Sequence, residues 1–226
     1  MKKFLATLIL VFYSSVSLAH MAHYNNYNKI EMEIFRNGEL IGYNYYFFSR
    51  EGDQTIVTNQ IKFSIKILGA TIFRVEGYGE EKYLRDQLIS YDSKTIQNDK
   101  EKFVNLSFNK DTKKLNIKGS SFSGEASVDN VIGNWWNHKV LQTQSQISPI
   151  SGSIKEQIVT FVGKEKIDLY GKTFEVDHFT LKSKDMSLPK DKRLNFDIWF
   201  DQKNSIIIKV SYSRMGDWEY RLKSFE

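Results

Sequence analysis

Along most of the chain apolar and polar residues alternate singly, the period of a strand with one buried face. Ile30, Met32 and Ile34 alternate with Lys29, Glu31 and Glu33. Asn37-Gly38, a pair that tolerates positive φ, then turns the chain into an aromatic-rich run, Glu39 to Ser49. Glu51-Gly52-Asp53 leads into 54–67, where Ile61, Phe63, Ile65 and Ile67 face one way and Lys62, Ser64 and Lys66 the other. The pattern repeats through 71–84, where Gly77 and Gly79 suggest a bulge or bend, and through 87–96, 103–108 and 114–118. After a break it resumes at 156–162, 167–170, 173–182, 193–200, 205–213 and 218–225, with turn residues such as Gly171-Lys172 and Gly216-Asp217 between the runs.

About a dozen short strands separated by turns predict an all-β domain. Because neighbours in sequence usually pair, the simplest topology is an antiparallel up-and-down meander. A meander this long must curl to protect its edges, as a barrel or curved half-barrel. Residues 119–149 lack the alternation. Val128, Val131 and Ile132 have helix-like spacing there, with Ser127 or Asp129 as a cap, and Asn134-Trp135-Trp136-Asn137-His138 follows. An irregular stretch of this length inside a β-domain is expected to be a lid or a plug, a cover segment over the sheet.

The first residues carry a different signal. Lys2 and Lys3 precede an apolar run from Phe4 to Val16, and Ser17-Leu18-Ala19 has the small-x-small pattern of a signal-peptidase site. The run is well short of the roughly 20 residues of a membrane-spanning helix. The expected organisation is a signal peptide at 1–19, a flexible tail at 20–28 and one β-rich domain at 29–226, periplasmic or secreted after cleavage near Ala19. No transmembrane segment is expected in the mature protein. The absence of cysteine excludes a lipoprotein anchor, disulfides and thiolate chemistry, so the core alone must hold the domain. The net charge of +5 falls to +3 without Lys2 and Lys3, and the remaining basic residues are interleaved with acidic ones. That pattern argues against a nucleic-acid-binding face.

The mature chain resembles an uncharacterised family of secreted bacterial proteins, a domain of unknown function. The resemblance rests on Phe35-Arg36-Asn37-Gly38-Glu39-Leu40-Ile41-Gly42, Ile61-Lys62-Phe63-Ser64-Ile65-Lys66-Ile67, Trp135-Trp136-Asn137, Asp197-Ile198-Trp199-Phe200-Asp201 and Gly216-Asp217-Trp218-Glu219-Tyr220-Arg221-Leu222. It covers most of 29–225, and these motifs are fold-like rather than catalytic. It implies a curved β-sheet of the kind seen in periplasmic lipoprotein carriers, and brings no functional residue with it. Fold alone does not license function.

Catalytic motifs are missing: there is no zinc helix, phosphate loop or dinucleotide fingerprint. Gly119-Ser120-Ser121-Phe122-Ser123-Gly124 has the wrong glycine spacing for a nucleophile elbow and reads as a loop. No cofactor is expected. His138 and His178 fit hydrogen-bonded, half-buried structural roles. His20 and His23, near a new amino terminus, are metal-ligand candidates, since imidazole and amine nitrogens suit Cu(II), Ni(II) or Zn(II). Aromatic residues are the remaining lead. Tyr45 and Phe47 in the second strand, with Trp135, Trp136, Asn137 and His138 in the cover segment, are the candidate ligand-binding residues. The same residue types are also the usual filler of a β core. The leading functional expectation is a domain that holds a hydrophobic or amphipathic small molecule, such as a lipid. The alternatives are an assembly protein that binds envelope proteins through strand edges and, third, an enzyme whose site follows no motif.

Overall fold

The computed structural model describes residues 20–226, and the expected signal peptide at 1–19 lies outside the described residues. The described residues form fifteen strands in one sheet. β1 (Lys29–Arg36), β2 (Glu39–Glu51), β3 (Gln54–Ile67), β4 (Ala70–Leu84), β5 (Gln87–Gln97), β6 (Lys100–Asn109), β7 (Lys114–Gly119) and β8 (Ser123–Ser127) form a first meander of consecutive hairpins. A second runs from β9 (Val131–Ile132) through β10 (Ser145–Ile147), β11 (Ile154–Leu169), β12 (Lys172–Ser183), β13 (Asn195–Asp201), β14 (Ile206–Ser213) and β15 (Asp217–Phe225). The two are joined where β1 pairs antiparallel with β15, so the terminal strands lie at the centre of the sheet. All neighbours are antiparallel except β9 and β10. The outermost strands, β8 and β9, do not pair with each other: the sheet is open, not a closed barrel.

Turn chemistry is local and comes out as read. Asn37 and Gly38 both have positive φ, at 50° and 81°, as a tight hairpin turn needs. Two readings change. The runs 156–162 and 167–170 are one strand, β11, with a register shift against β12 between Phe161 and Gly163. Pairing passes unbroken through Gly77 and Gly79, and the shifts flanking them fall at Ile65/Lys66 and Lys82/Tyr83. These glycines clear space instead: a Cβ on Gly77 would lie 2.9 Å from Ile61, and one on Gly79 3.0 Å from the Tyr91 hydroxyl.

The segment 119–149 contains β8, β9 and β10 and a short 3-10 turn, His138–Leu141. No helix forms around Val128; Val131 and Ile132 are strand, and Ser127 and Asp129 close a turn with each other. Its middle is packed into the core. Trp135 touches Phe196 on β13 and Tyr220 on β15, while Trp136 touches Phe48 on β2 and Tyr83 on β4. A sheet whose distant strands all reach one short segment must wrap around it. The expected flexible tail is also docked. His20–Tyr24 form a 3-10 turn, with Met21, Tyr24 and Tyr27 buried. The Met21 amide donates to Asp86 at 2.7 Å, the Tyr27 hydroxyl donates to the Asn204 carbonyl, and Arg50 donates to the carbonyls of Tyr24 and Tyr27. Asp86 and Asn204 lie in the turns β4–β5 and β13–β14, so this segment covers one end of the wrapped sheet.

Candidate functional site

The opposite end is open. Between the two meanders lies a cleft of about 1070 Å³, lined by β2–β5 on one side and by β13–β15 and the loops around them on the other. Ligand pockets commonly hold roughly 300–1,000 Å³, so this one suits a sizeable molecule. Alternation produces the wall. The inward positions Ile61, Phe63 and Ile65 of β3 and Phe73 and Val75 of β4 face Phe196, Tyr212, Trp218 and Tyr220 across the space. The rings are ordered by edge contacts, with Phe63 5.4 Å from Trp218 and Phe196 5.3 Å from Tyr212 between centroids. Gly133, Asn134, Trp135, Pro149 and Ile150 also line the cleft.

Polar groups in the wall are few and linked. Asn59 donates to Asn44 at 2.5 Å, Asn44 donates to the Tyr46 hydroxyl at 2.7 Å, and that hydroxyl accepts the Trp135 amide at 3.1 Å. Burial holds the Tyr46 phenol well above its ordinary range. Tyr91 and Ser93 both donate to the Pro149 carbonyl, at 2.9 and 2.7 Å.

Beneath the cleft sits a carboxylate with no signature in any motif. Glu81 on β4 is buried and accepts from Asn134 at 2.6 Å, the Trp136 indole at 2.8 Å and the Tyr83 hydroxyl at 2.6 Å. Desolvation raises its pKa, and the three donated bonds pull it part of the way back. Parity was the available signal: Phe73, Val75, Glu81 and Tyr83 share one face of β4. Glu81 binds the Trp135–Trp136 segment to the sheet.

The residues singled out from sequence divide three ways. Trp135 lines the cleft, whereas Trp136 is fully buried behind it. Asn137 and His138 are buried too. Asn137 caps the 3-10 turn through the Lys139 amide, and the Tyr24 hydroxyl lies 2.6 Å from His138 Nδ1 and accepts the His138 amide at 3.0 Å. Tyr45 and Phe47 point to the outer face, where Lys29 lies 4.7 Å from the Tyr45 ring centre, away from the cleft. The inner positions of β2 are Asn44, Tyr46 and Phe48. His23 lies 3.3 Å from the Ser205 hydroxyl and edge-on to His138. Among the described residues no three His, Asp or Glu side chains are grouped to hold a metal. His178 ties three outer-face strands together, with Nδ1 2.7 Å from Glu165 and Nε2 2.9 Å from Asp197, and stacks on Trp199.

No helix among the described residues is long and apolar enough to cross a membrane. No curated protein matches the sequence. The structure is similar to the beta-barrel-like protein of domain of unknown function DUF1849 from Brucella abortus. The TM-score is 0.59 at 9% identity, over 88% of this chain and 96% of that one, a likeness of fold alone. A Bacteroides fragilis protein of YmcC-like fold aligns over 88% of this chain and 94% of its own at 11% identity, with a TM-score of 0.35. The sequence itself matches the profile of a domain of unknown function, DUF6134, over residues 32–223, and the chain belongs to that family.

Proposed function

We propose that this protein binds a hydrophobic or amphipathic small molecule, such as a lipid, in the cleft between its two meanders, and does so outside the cytoplasm after removal of residues 1–19. The cleft of about 1070 Å³, walled by aromatic and aliphatic side chains, carries this reading. Phe63, Trp135, Phe196 and Trp218 supply the apolar surface, and the Asn44–Tyr46–Asn59 group offers polar contacts deeper in. The test is mass spectrometry of organic extracts of the purified protein, with titration of a neutral environment-sensitive dye. Co-purifying lipid and saturable dye binding weakened by Trp135→Ala support the reading. An empty extract together with no saturable binding rejects it. Intact mass of the exported form tests the cleavage site, which places His20 first.

A second reading has one observation in its favour. Among the described residues no strand pairs with the outer edge of β8, a ready template for strand addition by another envelope protein. Stable partner proteins on purification, lost when proline replaces Glu125, would favour it.

A further inference from the structure

Charge at the cleft is of one sign. Arg36, Lys182, Lys190, Arg193 and Arg214 line it, and no aspartate or glutamate does. The chain as a whole carries 32 basic and 27 acidic residues, so an even mixture would have placed carboxylates among these five. Elsewhere among the described residues about half of the lysines and arginines stand in ion pairs, as in Lys62–Glu76, Arg74–Asp99 and Lys184–Glu156. None of the five cleft cations stands in an ion pair among the described residues. Arg36 is spent on the Met215 carbonyl. Arg193 uses only Nε, donated to the Leu188 carbonyl at 2.6 Å, which fixes the loop and leaves its terminal nitrogens for another acceptor. Asp185, in the same loop, lies outside the lining; its carboxyl is held below the usual range by the Ser187 hydroxyl and amide, which donate to it at 2.6 and 2.8 Å, and further by the charge of Arg193, with which it makes no ion pair.

Topology gathers these charges at the open end. Strands alternate in direction, so the turns β1–β2 and β14–β15 and the loop β12–β13 fall together, opposite the end that Met21, Tyr24 and Tyr27 cover. Arg36, Arg214 and the pair Lys190 and Arg193 come from these three connections in turn. Met186 and Met215 stand beside them, largely exposed. A molecule entering here leaves its trailing end among the cations.

We propose that the ligand is an anionic amphiphile: an acyl chain lying between the aromatic walls, with a carboxylate or phosphate head held by Lys190, Arg193 and Arg214 at the mouth. This rests on the cleft being the ligand site. The contacts are partly solvated, so each is worth a fewfold in affinity and the three together about tenfold, decreasing with salt.

The experiment is displacement of a neutral dye from the purified protein by molecules of equal chain length: palmitate, cetyl alcohol and cetyltrimethylammonium. Lysophosphatidylglycerol is added to separate a phospholipid head from a free fatty acid. Palmitate or the lysophospholipid should displace the dye about tenfold more tightly than the alcohol, and the cation least well. Whichever anion is preferred names the source. The triple change Lys190→Gln, Arg193→Gln, Arg214→Gln should bring the anion down to the level of the alcohol. Lys190→Arg with Arg214→Lys should keep the preference, and circular dichroism with the thermal midpoint checks the fold of each variant. Equal displacement by anion and alcohol, or a preference that survives the triple change, overturns the headgroup assignment while leaving the cleft as an apolar site. Absence of saturable dye binding overturns both.

Discussion

Glu81 should be the most sensitive polar position in the molecule. Truncation by Glu81→Ala leaves three buried donors, on Asn134, Trp136 and Tyr83, without their shared acceptor. An orphaned buried donor costs about 1–3 kcal/mol, and water entering the vacated space recovers part of that. The expected loss is about 3–6 kcal/mol, a large fraction of the roughly 5–15 kcal/mol that separates folded from unfolded chains. Glu81→Gln keeps the shape and one acceptor oxygen, and the Tyr83 hydroxyl can accept from the new amide, so it should cost less than about 1 kcal/mol at neutral pH. The two variants also differ in pH dependence. Burial raises the folded pKa of Glu81 above its unfolded value. Its stabilisation is therefore fully present below the ordinary glutamate value of about 4.3 and is lost as pH rises through the folded pKa. Glu81→Gln has no such step and should gain on the native protein as pH rises. Urea unfolding followed by circular dichroism across that range measures both. A Glu81→Ala variant within about 1 kcal/mol of the native protein would refute the role of this network in holding the Trp135–Trp136 segment. An unchanged pH slope in Glu81→Gln would refute the burial argument.

Trp136→Ala should cost about 3–5 kcal/mol in denaturant unfolding, as a fully buried aromatic does, whereas Trp135→Ala should lose less stability and more dye affinity. Tyr24→Phe removes both hydrogen bonds to His138 and should cost about 2 kcal/mol, with faster hydrogen exchange confined to 20–28 and 138–141. Tyr220, whose phenol burial pushes up to about 12, and Tyr24, Tyr46, Tyr83 and Tyr91, also raised well above the ordinary range by burial, stay protonated in the fold at pH values where the unfolded chain ionises. Their contribution is intact below the ordinary tyrosine value of about 10, so stability should fall as pH climbs above it, measured by denaturation at stepped alkaline pH.

Much of the fold was legible because its signals are local. Period-two alternation placed most of the strands from Lys29 to Lys118 and from Glu156 to Phe225 to within about three residues, and Asn37-Gly38 named its own turn. Alternation failed where strands are too short to show a period, as in Val131–Ile132 and Ser145–Ile147. It also misled across Gly163-Lys164-Glu165-Lys166, a charge run that is the solvated middle of one long exposed strand. At the candidate site, the irregular segment and its tryptophans stood out, but their division of labour did not. Trp135 and Trp136 are adjacent in sequence, yet one lines the cleft and the other fills the core behind it.

The sequence by itself determined the strands, most of their turns and the two faces of each strand, because these follow from sterics and side-chain period within a few residues. Only the tertiary structure decided that Ile34 pairs with Tyr220, joining two meanders through the terminal strands and leaving β8 and β9 as open edges. It alone decided that Tyr46 and Phe48, not Tyr45 and Phe47, face inward, that Glu81 receives Asn134 and Trp136, and that four cationic side chains from three distant connections ring one mouth. No local period encodes such pairings. They depend on the combined burial of many strands and on the end-to-end alternation of the sheet, which bring together residues far apart along the chain.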